Sequence, residues 1–152
     1  MIRTISQADI LPIIKLTEKF WLESCSQSLF GEFDPKHYQR SLIQLLKSEL
    51  MVGWASFTSD KEIKSILLAC LDASIWTNIT LLKEIMWYTD PAHRGSPSSF
   101  KLYKEMEKYA KQNGYAGVVM GRIKGPNNYD KLDQFYIKNN FKSLEDSYIK
   151  IL

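Results

Sequence analysis

The chain has 152 residues, 45% of them hydrophobic and 24% charged, with a formal net charge of +3. This suits one globular domain over 1–152 with an ordinary core, and the small positive charge admits an anionic ligand without the basic excess of a nucleic-acid binder. Cys25, Cys70, His37 and His93 are scattered, which excludes a disulfide framework and metal-ligand spacing and leaves reduced thiols. No charged leader precedes an apolar run, and no apolar run reaches bilayer length, so a cytoplasmic chain without a membrane partner is expected.

"MIRTI" reads as a short strand. In "ADILPIIKLTEKFW" the residues Ile10, Ile13, Ile14, Thr17, Phe20 and Trp21 recur at helical spacing, with Asp9 as N-cap and Pro12 in the first turn. "SCSQSLFGEFDP" reads as a loop and "KHYQRSLIQLLKSE" as a second helix. The β-rich runs of "LMVGWASFTSDKEIKSILLACLDASIW" flank Ser59-Asp60-Lys61, which predicts a hairpin. "LLKEIMWYTD" is a further strand, stopped by Pro91.

Ser98 to Asn113 carries the clearest helical pattern: Leu102, Tyr103, Met106, Tyr109 and Ala110 form one stripe, and Lys101, Lys104, Glu105, Lys108 and Lys111 lie outside it. Gly114 closes it as a C′ glycine. "YAGVVMG" is a buried-looking strand, "GPNN" a turn, "YDKLDQFYIKNN" a short helix, and "FKSLEDSYIKIL" a last strand or strand pair. The order predicts an α/β fold, antiparallel early in the sheet, with a strand–helix–strand unit around the 98–113 helix.

Just before that helix stands "HRGSPSSF". A helix start leaves N–H groups without partners and carries partial positive charge, so it suits a phosphate wherever backbone can be approached. Arg94 adds a charge, Gly95 clears the approach, and Ser96, Ser98 and Ser99 keep the turn small and polar. Ser96 also makes an ordinary N-cap with Pro97 at the first helical position, so capping alone would account for part of the pattern.

The strand "YTDP", then "AHRG", a helix, a strand and "FYIKNNF" resemble the GNAT superfamily of N-acetyltransferases over nearly the whole chain. Pro91, Arg94 and Gly95 match that family's lead-in to its Q/R-x-x-G-x-G/A motif, and Tyr136, Lys138 and Phe141 match its later L-Y-x-K-x-G-F pattern. Pro97 and Ser99 stand where the motif has glycines, and Asn140 stands where a glycine precedes Phe141. The family's asparagine seven residues before the tyrosine would fall on Tyr129, with Asn128 one place off.

The resemblance implies a GNAT-type mixed, mostly antiparallel sheet with an acyl-CoA-binding βαβ unit and flanking helices. It also implies acetyl-CoA as co-substrate and direct transfer to an amine, which could be a small molecule, a protein N-terminus or a lysine. The cofactor would meet Arg94, Gly95, Ser96, Ser98 and Ser99, with backbone of Trp87, Tyr88 and Thr89 facing the pantetheine arm if the fourth and fifth strands splay. A homodimer is admitted; a nucleic-acid partner is not expected.

Acetyl transfer needs a neutral amine and a proton for the departing thiolate. Glu84 is the candidate base: strict alternation puts it on one face with Leu82, Met86 and Tyr88, whose apolar company would raise its pKa. It also resembles a fourth-strand glutamate used as base in some GNAT members; the other reading is a solvated strand end balancing Lys83. Tyr136 matches the family's recurrent tyrosine and is the candidate acid, with packing between helix and sheet as its other reading. Trp21, Phe30, Phe33 and Trp76 lie in or near segments flanking the family's acceptor cleft. The rival to the enzyme is a non-catalytic relative that binds acyl-CoA or a protein partner.

Overall fold

Five apolar-rich runs form one sheet in the computed structural model, which describes residues 1–24, 26–122, 129–145 and 147–151, with Tyr129 and Asp130 as backbone alone. They are β1 (Ile2–Thr4), β2 (Met51–Phe57), β3 (Ile63–Ala73), β4 (Thr80–Thr89) and β5 (Gly117–Val119), side by side in chain order. The helices are α1 (Ile10–Glu23), α2 (Gln27–Phe30), α3 (Pro35–Lys47), α4 (Ser98–Gln112) and α5 (Tyr129–Lys138).

β1 to β4 pair antiparallel, and the hairpin between β2 and β3 turns at the expected residues, with Lys61 at positive φ. β5 pairs parallel with β4, so β4, α4 and β5 form the expected strand–helix–strand unit. The sheet is thus mixed and mostly antiparallel.

Each face of the sheet carries its own core. Ile13, Leu16 and Leu42 from α1 and α3 cover Ala55, Ile66, Leu68, Met86 and Tyr88 on one face. On the other, Leu102, Tyr103, Met106 and Ala110 of α4 cover Trp54, Leu67, Ala69 and Leu82. The predicted α4 stripe is therefore the packed one, and its fifth member, Tyr109, lies edge-on to Trp54 at 5.5 Å between ring centroids.

α4 ends where Gly114 adopts φ 70°, and Tyr115 N–H returns to the Ala110 carbonyl at 2.9 Å. α5 ends in the same way without a glycine. Asn140 takes φ 62°, and Phe141 N–H reaches the Tyr136 carbonyl at 2.9 Å.

Four expectations need correcting. Part of the predicted loop, Gln27–Phe30, makes one helical turn. Asp9 occupies the α1 cap position, but its carboxylate is taken by Arg3 at 2.7 and 2.8 Å and by Ser6 N–H at 2.8 Å, because the turn after β1 brings a charged donor within reach. α4 starts after Pro97, which is the cap residue, so Ser96 lies one place outside.

The fourth concerns the last strand: no described residue after α5 is in one, and Leu144, Tyr148, Ile149 and Ile151 are exposed. A β-rich run becomes a strand only where it joins a ladder, and no described residue here pairs with the outer side of β5. The "GPNN" turn and Cys25 fall outside the described residues.

Arg3 holds the Asp9 carboxyl at about 2, from an ordinary 3.8. A lowered carboxylate contributes stability that is complete above its unfolded value and lost as pH falls through the folded one. Asp9→Asn is therefore expected to cost on the order of 1–2 kcal/mol at pH 7. The expected drop in Tm is about 3–6 °C, shrinking toward zero as thermal melts are taken from pH 4 to pH 2. A constant penalty across that range would show that the pair does not carry the effect.

Candidate active site

Ala69 on β3 pairs with Glu84 on β4, and Leu68 pairs with Met86, which leaves Ile85 without a counterpart. This bulge inserts one residue and reverses the alternation beyond it. Leu82 accordingly packs with the α4 face while Met86 and Tyr88 pack with the α1 and α3 face. Glu84 does not share a face with Met86 and Tyr88 as simple alternation predicts. It faces the α4 side, with Leu82 before the bulge and Trp87 after it.

The register of β4 with β5 ends at Lys83 and Val119, one residue before Glu84. Past that point Gly121 N–H is taken by a side chain, Glu84 Oε2, at 2.9 Å. Among the described residues no strand pairs with the β5-side edge of 84–89. That stretch of edge lies at the carboxyl ends of two parallel strands and the start of the helix between them, where ligands enter sheets of this kind.

Tyr136 reaches the same point from α5, its hydroxyl donating to the Gly121 carbonyl at 2.5 Å. The two sequence-predicted catalytic candidates thus converge on one glycine. Aromatic packing sets the position of α5. Phe135 lies 5.3 Å from Trp87 and 5.4 Å from Tyr103, and Phe141 lies 5.2 Å from Tyr136, between ring centroids.

Burial raises the Glu84 carboxyl to about 7, with the Gly121 N–H offsetting part of the rise. It is thus a group that changes charge near neutrality. Burial also pushes the Tyr136 phenol well above its ordinary range, helped by Glu84 and Asp133 and opposed by Arg122. The hydroxyl therefore keeps its proton at neutral pH.

The start of α4 carries no side-chain cap. Gly95 before it adopts φ 83°, with open space where a Cβ would stand. Hydroxyls tie this turn to the sheet: Thr89 Oγ1 donates to the fully buried Ser65 at 3.1 Å, Ser65 lies 3.0 Å from Ser98, and Ser98 lies 2.7 Å from Ser96. Trp87 Nε1 donates to the Ser99 carbonyl at 3.3 Å, so its ring is core beneath the helix.

Arg94 goes elsewhere. Its guanidinium donates to Glu23 Oε2 at 2.6 Å and to the Thr89 carbonyl at 3.3 Å, with the Tyr88 ring 5.6 Å away. Tyr88 hydroxyl donates to the same Glu23 oxygen at 2.7 Å. Arg94 first, and Tyr88 after it, hold the Glu23 carboxyl below the ordinary range.

Trp21 packs with Phe30 and Phe33 at the end of α1, whereas Trp76 is 85% exposed in the turn before β4. Sequence reading missed Gly121, Ser65 and Glu23. Only Gly121 carried a signal, as a glycine closing the "GVVMG" run. Among the described residues no acidic, histidine or cysteine group could hold a metal ion, and no helix is long and apolar enough to cross a membrane.

The raised Glu84 carboxyl has a consequence for stability. The unfolded group titrates near 4.5 and the folded one near 7, so the folded chain binds more protons in between and loses stability as pH rises through that window. Glu84→Gln, whose amide oxygen can still accept from Gly121, is expected to raise stability at pH 8 by on the order of 1–2 kcal/mol. At pH 4 it should leave stability unchanged. Thermal melts at both values check this, and a gain at pH 4 equal to that at pH 8 would remove the charge as its cause.

No family model matches the chain, and no curated protein matches it in sequence. Solved structures do. A predicted acetyltransferase from Clostridium acetobutylicum, crystallised with acetyl-CoA, superposes with TM-score 0.77 at 14% identity, over 100% of this chain and 95% of that one. An acetyltransferase from Trypanosoma brucei gives 0.73 at 13%, over 100% and 99%. A ribosomal-protein-alanine N-acetyltransferase from Brucella melitensis biovar Abortus gives 0.72 at 12%, again over 100% and 99%. With its mostly antiparallel five-stranded sheet, βαβ unit and flanking helices, the chain has the fold of the GNAT N-acetyltransferases.

Proposed function

We propose that the protein transfers an acetyl group from acetyl-CoA directly to an amine. The observation that carries this reading is the convergence of Glu84 and Tyr136 on Gly121, where β4 and β5 part. Acetyl-CoA supplies a thioester carbonyl open to attack. The α4 start fits its pyrophosphate in three respects: no side chain caps it, Gly95 leaves the approach open, and Ser96 and Ser98 present hydroxyls there. Pro97 has no N–H to contribute, so Ser98 and Ser99 backbone carries that role. The backbone edge of Trp87 and Tyr88, with which no described strand pairs on the β5 side, and the Thr89 backbone beside it would face the pantetheine arm.

In this mechanism the amine nitrogen bonds to the acetyl carbon as the carbon–sulfur bond breaks. Glu84, ionised above about pH 7, takes the proton the amine loses. Tyr136 gives its proton to the sulfur, exchanging the Gly121 carbonyl for the thiolate as its acceptor. The acceptor is a small amine, a protein N-terminus or a lysine.

Arg94 serves the pyrophosphate only by leaving Glu23, and that pairing together with Pro97 favours a second reading. In it the protein is a non-catalytic acyl-CoA or partner binder.

CoA is expected to raise Tm, since it binds the native state alone. Arg94→Ala should weaken CoA more than pantetheine, and Glu23→Gln should tighten CoA by releasing the arginine. Equal effects on both ligands would make Arg94 a brace between α1 and β4.

Assays of CoA release with a panel of amines and peptides test turnover itself. Tyr136→Phe keeps the ring and should cost roughly 10²–10⁴ in rate with CoA affinity little changed. Wild-type turnover should rise with pH through about 7, and Glu84→Gln should abolish that limb. Full activity in Tyr136→Phe would leave Tyr136 a packing residue, and no thioester consumption with any acceptor would favour the second reading.

A further inference from the structure

β5 pairs with β4 over Gly117, Val118 and Val119 only, so the backbone ladder ends before Gly121 and Arg122. These two residues are held by side chains instead. Glu84 takes the Gly121 N–H, Tyr136 takes the Gly121 carbonyl, and Asp133 takes Arg122 at 2.6 Å. Asp133 and Tyr136 stand three apart on α5, hence on one face of it. One helix face therefore grips two consecutive residues of the segment leaving β5.

The second grip matters geometrically. Glu84 holds the Gly121 N–H and Tyr136 the Gly121 carbonyl, which lie in two successive peptide planes that can turn about the Gly121 Cα. An ion pair at the next residue holds the chain just beyond Gly121 and limits that turning. Glu84 Oε2 lies close by, 3.4 Å from where a Cβ on Gly121 would stand. With 37% and 44% of the two side chains exposed, the Arg122–Asp133 pair is a poor source of stability, so its effect should be on position.

We propose that Asp133, acting through Arg122, is a positioning residue that holds Gly121 with its N–H on Glu84 and its carbonyl on Tyr136. As a contribution to turnover it rests on the acetyl-transfer reading; as a clamp on Gly121 it does not. The charged groups around the Tyr136 hydroxyl are Glu84 from β4, Arg122 from the segment after β5 and Asp133 from its own helix. Removing Asp133 therefore alters both the field at the phenol and the peptide it bonds.

The test reads the Gly121 amide by hydrogen exchange and turnover by CoA release, in the wild-type chain and three variants. Asp133→Ala is expected to lower Gly121 protection and to reduce kcat about 10-fold to 100-fold, the scale of a small misplacement at a reacting centre. The KM for acetyl-CoA and Tm should be unchanged, because the α4 start and the cores are untouched. Arg122→Asp combined with Asp133→Arg should restore Gly121 protection and most of the turnover. Glu107→Ala, which breaks the exposed Lys104–Glu107 pair on α4, should change neither readout. Wild-type protection in Asp133→Ala would overturn the proposal, and so would failure of the charge exchange to restore it. Absence of thioester consumption by the wild-type chain would sink the acetyl-transfer reading instead, while the Gly121 amide still decides the clamp.

Discussion

Leu82 and Met86 lie four residues apart on one strand, and strict alternation would place them on the same face. The unpaired Ile85 sends them to opposite cores, and most of the site follows from that single insertion. Up to Lys83, β4 shares a ladder with β5; beyond that, no described residue continues it. Glu84 stands at the point of separation. Its carboxylate accepts from Gly121 N–H, and burial raises its pKa while that hydrogen bond offsets part of the rise.

Packing on the α4 side places the second group. Phe135 docks among Trp87, Tyr103 and Phe100, while Phe141 folds back over Tyr136 through the tight turn at Asn140. Each aromatic contact contributes modestly, but together they fix the rotation of α5. The next residue along, Tyr136, is thereby aimed at Gly121. Core packing and site geometry are one arrangement here.

The α4 start is governed by a competition for charge. A helix end without a side-chain cap favours an anion. Arg94, the nearest guanidinium in sequence, is instead drawn across the end of β4 to Glu23, which also accepts from Tyr88. An arriving pyrophosphate would have to outbid that carboxylate. The same pair links α1, which carries the Trp21 cluster, to the turn where cofactor is proposed to bind.

Local chemistry was enough to read the strands and helices from their periodicities, the α4 stripe, the positive-φ closure at Gly114 and the parallel crossover to β5. These depend on residues within a few turns of one another. The resemblance around "PAHRG" and "FYIKNNF" was legible too, and the fold matches solved acetyltransferase structures although identity to one of them is 14%. Tertiary structure decided the rest. The bulge arises from how β3 and β4 register, so no pattern in β4 alone reveals which face Glu84 takes. Asp9 and Arg94 each had a plausible local role as cap or phosphate ligand and each went to a partner of opposite charge brought close by the fold. The β-rich tail after Phe141 joins no ladder among the described residues, and composition alone does not supply one.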